Sequence, residues 1–237
     1  MLQACLNGAR SRRDHPHIPV TADDLARDAA RVVALGVAEL HVHPRDAQGL
    51  ETLDPEATAA ALAAIRRAVP GIPVGLTTRE GIRVDPRRGF SEMEAWQVLP
   101  DYVSVNLSEA DASDVIDLML AKNIGVEAGL ATAADARKFV SLASAKDCLR
   151  ILVEIDFEKT VANALALSDE MIGIIKEKRI DLPILLHGFD ETMWPLYRKS
   201  RTLGVDARLG FEDGLTLPDG RIATGNPAII AAARELT

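Results

Sequence analysis

Two histidines flank a single valine in His41-Val42-His43, and a carboxylate pair, Glu212-Asp213, stands near the other end of the chain. In an extended segment, residues two apart project from the same face, about 7 Å apart along the backbone, so two such imidazoles can approach one small cation together. Adding Glu212 gives two nitrogen ligands and one oxygen ligand, with a fourth position left for water or substrate. This is a recurrent donor set for catalytic Zn²⁺. The same side chains have a plainer use: the histidines can hydrogen-bond inside a sheet, and Glu212 can neutralise an arginine. Which use holds depends on the elements that carry them.

Short apolar runs recur at 2–7, 38–43, 72–78, 102–108, 125–131, 150–155, 183–188 and 206–212. Amphipathic or alanine-rich stretches lie between and after them, at about 21–35, 55–68, 91–98, 112–122, 133–145, 160–178, 191–203 and 226–236. Strict strand-then-helix alternation predicts a parallel sheet. Thr21 and Asp54 fit helix N-caps, Pro55 and Pro227 fit first helical positions, and Gly36 and Gly204 fit helix ends. Eight such units in 237 residues fit an α/β fold of one closed (β/α)₈ (TIM) barrel, a single domain over 1–237. No GxGxxG, P-loop, Gly-x-Ser-x-Gly elbow or cysteine ligand set is present.

Barrel enzymes hold their active sites at the C-terminal ends of the strands. His41 and His43 close the second run and Glu212-Asp213 the eighth, which favours the metal reading. Asn7, Thr77, Thr78, Ser104, Asn106, Ser108, Glu154, Asp156 and His187 fall at the same end. Thr77, Ser104 and Asn106 can orient substrate oxygens or merely satisfy strand ends, and His187 can be an acid/base group or a satisfied strand-end histidine. Arg208 shares the inward parity of Glu212, and a buried arginine needs a partner, for which Glu39, Glu127 or Asp213 is available. A carboxylate beside that guanidinium and near a divalent ion stays ionised and can act as a base, or it can be an ion pair only. Arg10, Arg12, Arg13, Arg45, Arg79, Arg83, Arg87 and Arg88 collect after the first three runs, which suits an anionic substrate. His15 and His17, in a proline-containing loop, read as surface or lid residues.

The balance of 27 Lys+Arg against 35 Asp+Glu, a net charge of −8, argues against a nucleic-acid surface. Cys5 and Cys148 are too few for a disulfide framework and read as core thiols suited to a reducing compartment. The N-terminus lacks a basic start and a sustained apolar stretch, and no run approaches the roughly 20 apolar residues of a membrane span. The expectation is a cytoplasmic protein with no nucleic-acid or membrane partner.

Four stretches, NGAR followed by HPHIPVT, then HVHPRD, VSVNLS and RLGFEDG, resemble the β-keto acid cleavage enzyme family, typified by 3-keto-5-aminohexanoate cleavage enzymes. They span almost the whole chain in family order. The resemblance implies a zinc-dependent barrel, homotetrameric, that condenses a β-keto acid with acetyl-CoA and releases acetoacetate and a new CoA thioester. It implies that His41, His43 and Glu212 hold Zn²⁺, that Asp213 assisted by Arg208 is the base, and that Thr77 and Ser104 contact substrate. Asn106, Arg10 and Arg45 complete the expected substrate site. Arg10 replaces a family glutamate, Arg79-Glu80 a Gly-Gly pair, and IDFEKTVAN a glycine-rich stretch. Two rivals remain: a metal-dependent hydrolase on the same barrel, and an anion-binding barrel without turnover.

Overall fold

A computed structural model of the chain describes residues 1–82, 85–156, 158 and 160–236. Its strands are β1 (Leu2–Cys5), β2 (Glu39–Val42), β3 (Val74–Thr77), β4 (Tyr102–Asn106), β5 (Gly125–Leu130), β6 (Arg150–Ile155), β7 (Ile184–Gly188) and β8 (Asp206–Leu209). Each pairs in parallel with its neighbours in sequence order, and β1 pairs with β8, so the sheet closes as the alternation predicts. Helices α1 (Ala22–Val33), α2 (Pro55–Ala68), α3 (Pro86–Glu94), α4 (Ala112–Ala121), α5 (Ala133–Ser141), α6 (Val161–Glu177), α7 (Met193–Leu203) and α8 (Asn226–Glu235) pack outside. No helix is long and apolar enough to cross a membrane among the described residues.

Local chemistry sets the helix starts. Thr21 and Thr132 form capping boxes with Asp24 and Asp135, each carboxylate reaching back to the cap's backbone N–H. Asp54 accepts the N–H groups of Glu56 and Ala57, with Pro55 supplying a preset φ at the first helical position. The same device places α3 at 86–94 rather than at the expected 91–98: Asp85 accepts the N–H of Arg87 and Pro86 opens the turn, a start signal stronger than the downstream apolar spacing. The expected tail of the fifth helix is a separate 3₁₀ turn, Ala143–Asp147. Gly204 ends α7 in the left-handed conformation, φ 69°.

Outward-facing strand residues, such as Leu40, Val42, Val103, Val105, Ile151 and Val153, are buried against the helices and form the main core. Inward positions are polar to an unusual degree for a fold whose interior is dominated by branched aliphatics. At the N-terminal end of the barrel, Arg150 pairs with Glu39 at 2.5 Å and Glu127 at 3.3 Å. Gln3 donates to Glu127 at 2.7 Å and to the Tyr102 hydroxyl at 3.0 Å, and that hydroxyl donates to the Leu40 carbonyl at 2.6 Å. Burial pushes the Glu127 carboxyl up to about 7 against the pull of Arg150. This floor uses up Glu39 and Glu127 and leaves the upper barrel to a second polar cluster.

Candidate metal centre and active site

His41 lies on β2 with its imidazole inside the barrel, and His43 follows the strand's last residue with the same parity. Glu212 reaches them from across the β1–β8 seam, but not from a strand as the run 206–212 suggests. Strand β8 stops at Leu209, and Gly210 starts a turn closed by the Asp213 and Gly214 N–H groups on its carbonyl, at 2.9 and 3.1 Å. Only glycine fits there, since a Cβ would stand 1.9 Å from the Cys5 carbonyl oxygen. Gly8, at φ 56°, passes under the Glu212 side chain, where a Cβ would lie 2.4 Å from Cγ.

Asn226, fully buried at the start of α8, fastens this turn. Its Oδ1 accepts the Phe211 N–H at 2.6 Å, while Nδ2 donates to the Leu6 carbonyl at 2.7 Å and to Asp28 at 2.6 Å. Sequence reasoning did not reach Asn226. The tether depends on a contact 15 residues away in sequence, which local spacing does not announce.

The three donors converge. The Nε2 atoms of His41 and His43 are 3.2 Å apart, Glu212 Oε1 is 3.3 Å from His43 Nε2, and Oε2 is 3.8 Å from His41 Nε2. One ligand atom from each residue lies within 4.8 Å of the others. Two bonds of about 2.0–2.1 Å at a tetrahedral angle put their donors about 3.3 Å apart, so the spacing fits a four-coordinate divalent ion with a position to spare. Burial, followed by the charge of Arg208, holds the His41 pKa well below its ordinary value, leaving that ring neutral and able to ligate. Glu212 Oε2, one of the converging donors, is buried with no hydrogen-bond partner among the described residues and so is free to ligate.

Behind the trio stands a residue that sequence reasoning missed. Glu51 Oε1 is 2.6 Å from His43 Nδ1 and accepts from Arg79 Nε at 3.0 Å, with a second, shorter Arg79–Glu51 contact. Burial pushes the Glu51 carboxyl up, but the hydrogen bonds from His43 and Arg79 prevail and bring it to about 2. A hairpin explains its arrival: Gly49, at φ 79°, donates to the Asp46 carbonyl and Arg45 bridges Glu51, so the chain folds back beside the histidine. A carboxylate on the far nitrogen of a ligating imidazole fixes its tautomer and raises its basicity. Glu51→Gln is therefore expected to weaken metal binding roughly 10- to 100-fold, read by competition against a chromophoric chelator.

Arg208, 2% exposed, has Glu212 as its short partner, with Asp213 Oδ1 at 3.9 Å from Nε. Of its anticipated partners, Glu39 and Glu127 belong instead to the floor around Arg150, because they sit lower on the barrel axis. The guanidinium, with both imidazoles, holds the Glu212 carboxyl well below the usual carboxylate range in spite of burial. Asp213, also fully buried, accepts the Cys5 thiol proton on Oδ2 at 2.9 Å and faces His187 Nδ1 with Oδ1 at 3.2 Å. Cys5 is thus a hydrogen-bond donor to the site as well as a buried thiol, and burial and the Asp213 charge hold its pKa well above the ordinary value. His187 Nε2 points to Glu154 Oε2 at 3.5 Å. Burial and Arg208 push this ring's pKa down, but Asp213 and Glu154 outweigh them and lift it to about 8.

A cavity of about 410 Å³ opens above the trio. Arg10, Thr77, Ser104, Asn106, Arg208, Glu212 and His43 line it, together with Arg79, Glu109, Glu154, Asp156 and Phe189. Arg10 donates to the Glu212 carbonyl at 3.2 Å and pairs with Asp190 at 2.6 Å, tying the first loop to the turn after β7. Asn106 donates to Glu109 at 3.1 Å. Arg45 lies outside the lining and donates to the Gly8 and Arg10 carbonyls, the latter at 2.9 Å, bracing the β1 loop. Of the other arginines, Arg12 pairs with Asp24, Arg13 is exposed, Arg87 and Arg88 are exposed on α3, and Arg83 falls outside the described residues. His15 is buried with its ring 4.7 Å from that of Phe211, and His17 is exposed. In IDFEKTVAN, Asp156 reaches the cavity, while Phe157 and Lys159 fall outside the described residues.

Comparisons with known proteins agree with this architecture. The structure superposes on ObcA in its binary complex with oxaloacetate at a TM-score of 0.70 and 17% identity, covering 93% of this chain and 63% of that one. It superposes on a type I 3-dehydroquinate dehydratase from Clostridium difficile at 0.66 and 12% identity, covering 99% and 91%. Likeness at this level establishes the (β/α)₈ fold. A 3-keto-5-aminohexanoate cleavage enzyme from Fusobacterium nucleatum is 29% identical over 102 residues, 39% of this chain. The chain spans 37% of the length of that curated relative, and less than two thirds of ObcA. The profile of the beta-keto acid cleavage enzyme family matches residues 1–237, the full run that carries the two imidazoles, the distant carboxylate and the turn that delivers it, and the chain belongs to that family.

Proposed function

We propose that this chain is a metal-dependent enzyme that cleaves a small β-keto acid with an acyl-CoA, acetyl-CoA being the acceptor that the resemblance implies. The observation carrying this reading is the convergence of His41, His43 and Glu212 beneath a cavity rimmed by Arg10, Arg79 and Arg208. Family membership supports it, as do the oxaloacetate and C4-CoA adduct named for complexes of ObcA. Zinc is the proposed ion on the grounds of its preference for imidazole and carboxylate donors. We place the enzyme in the cytoplasm, as a homotetramer of single-domain subunits.

The residues have distinct tasks. His41, His43 and Glu212 would hold the ion, with Glu51 orienting His43. When bound, the metal supplies Lewis-acid polarisation of the substrate's carboxylate and 3-keto oxygens. Arg208 keeps Glu212 ionised and adds positive charge where negative charge develops. Asp213 accepts a proton from the carbon between the two polarised groups. The carbanion attacks the thioester carbonyl and expels CoA thiolate, and the thiolate then attacks the original 3-keto carbon. Reverse Claisen cleavage of the bond from that carbon to the former carbanion releases the acyl group as its CoA thioester and the acetoacetate carbanion, which takes back the proton held by Asp213. Thr77, Ser104 and Asn106 orient substrate oxygens, and Arg10 attracts the anion. Arg45 supports this arrangement from behind by fixing the loop that bears Arg10.

The test is a panel of β-keto acids incubated with the metal-loaded protein, with and without acetyl-CoA, assayed for acetoacetate and new thioesters. Formation of both, dependent on CoA, is the expected result. Carboxylic acid products without CoA would establish a hydrolase instead. Absence of any product with bound metal verified by elemental analysis would establish a non-catalytic barrel.

A further inference from the structure

We propose that His187 is a positioning residue that sets the orientation of the Asp213 carboxylate. The inference rests on the reading of Asp213 as the base. His187 sits on β7, fully buried, with its ring edge-on between two carboxylates: Nδ1 to Asp213 Oδ1 at 3.2 Å and Nε2 to Glu154 Oε2 at 3.5 Å. Phe189 packs on it with ring centroids 5.0 Å apart. On the opposite oxygen of Asp213, the Cys5 thiol donates at 2.9 Å. Two donors from β1 and β7, one on each oxygen, leave the carboxylate a single plane.

The arrangement has a consequence for proton transfer. A carboxylate on a turn can rotate about its Cβ–Cγ bond, and a reacting atom misplaced by about 1 Å costs on the order of 100-fold in rate. Arg208 does not fix Asp213, because its Nε is 3.9 Å away and its short contact is with Glu212. The imidazole Nδ1 is the nearest nitrogen on Asp213 Oδ1, while Glu154, which lines the cavity, faces Nε2 across 3.5 Å on the other edge of the ring, too far for a hydrogen bond.

The two nitrogens can be separated by substitution. An asparagine at 187 places its amide nitrogen where Nδ1 stands, towards Asp213; a glutamine places it where Nε2 stands, towards Glu154. His187→Gln is expected to lower kcat roughly 100-fold with little change in KM, and to slow exchange of the substrate's acidic C–H with deuterated solvent equally. His187→Asn is expected to recover most of both. Metal content should be unchanged in the two variants. Crystal structures supply a measurement independent of turnover: the Asp213 carboxylate plane should be turned in H187Q and native in H187N. An unturned carboxylate in H187Q, or equal losses in both variants with full metal content, overturns the proposal. If the wild-type protein turns over no β-keto acid, the proposed reaction fails, and the two carboxylate planes still decide the role of His187.

Discussion

Glu212→Gln is expected to leave the protein almost without bound metal and to lower its unfolding free energy by about 3 kcal/mol. The side chain keeps its size, so the effect is one of charge. Two interactions depend on that charge: ligation alongside His41 and His43, and the short contact with Arg208. Arg208 is 2% exposed, its Nε and Nη1 have no hydrogen-bond partner among the described residues, and Asp213 at 3.9 Å is too distant to replace the lost partner. Removing one member of a buried pair strands the other, which costs several kcal/mol, whereas removing both costs far less. Combining Glu212→Gln with Arg208→Met should therefore restore most of the stability and none of the metal. Elemental analysis and urea unfolding of the two variants separate the roles. Retention of metal by the single variant would remove Glu212 from the ligand set.

The alternation of eight apolar runs with eight helical stretches made the barrel legible, because strand and helix periods differ and capping residues such as Thr21 and Asp54 mark boundaries locally. The trio was legible for the same reason: two-residue spacing on a strand fixes the face, and a barrel fixes which ends meet. What escaped was carried by loops and long-range contacts. Glu51 sits in a hairpin that nothing in its own spacing to His43 announces, and its partner Arg79 comes from another strand's end. Of the three acids open as partners of Arg208, Asp213 lies beside it while Glu39 and Glu127 pair with Arg150, since parity gives the side of the sheet and not the height along the barrel axis. Arg10, a departure from the family pattern, proves to be tied to Asp190, whose positive φ of 47° on the turn after β7 is invisible to periodicity.

Asp213→Asn is expected to reduce kcat by about 1000-fold, within the range that a positioned general base contributes, while metal content stays native. Asparagine keeps the size of the side chain, and its single amide oxygen can accept from His187 Nδ1 while its NH2 group faces the Cys5 sulfur, a weak acceptor, so the packing around Cys5 and His187 is preserved at the cost of one hydrogen bond. It cannot accept a proton from carbon. The ligands are not touched, because Arg208 remains bonded to Glu212 and the turn remains fastened through Asn226 to Phe211. Loss of turnover with KM and metal unchanged would thus isolate the proton-transfer step. Glu154 is the alternative, being a cavity-lining carboxylate on the other side of His187. If D213N retained turnover within about threefold while Glu154→Gln lost it, the base would be Glu154, and Asp213 would serve only to charge and hold His187 from behind.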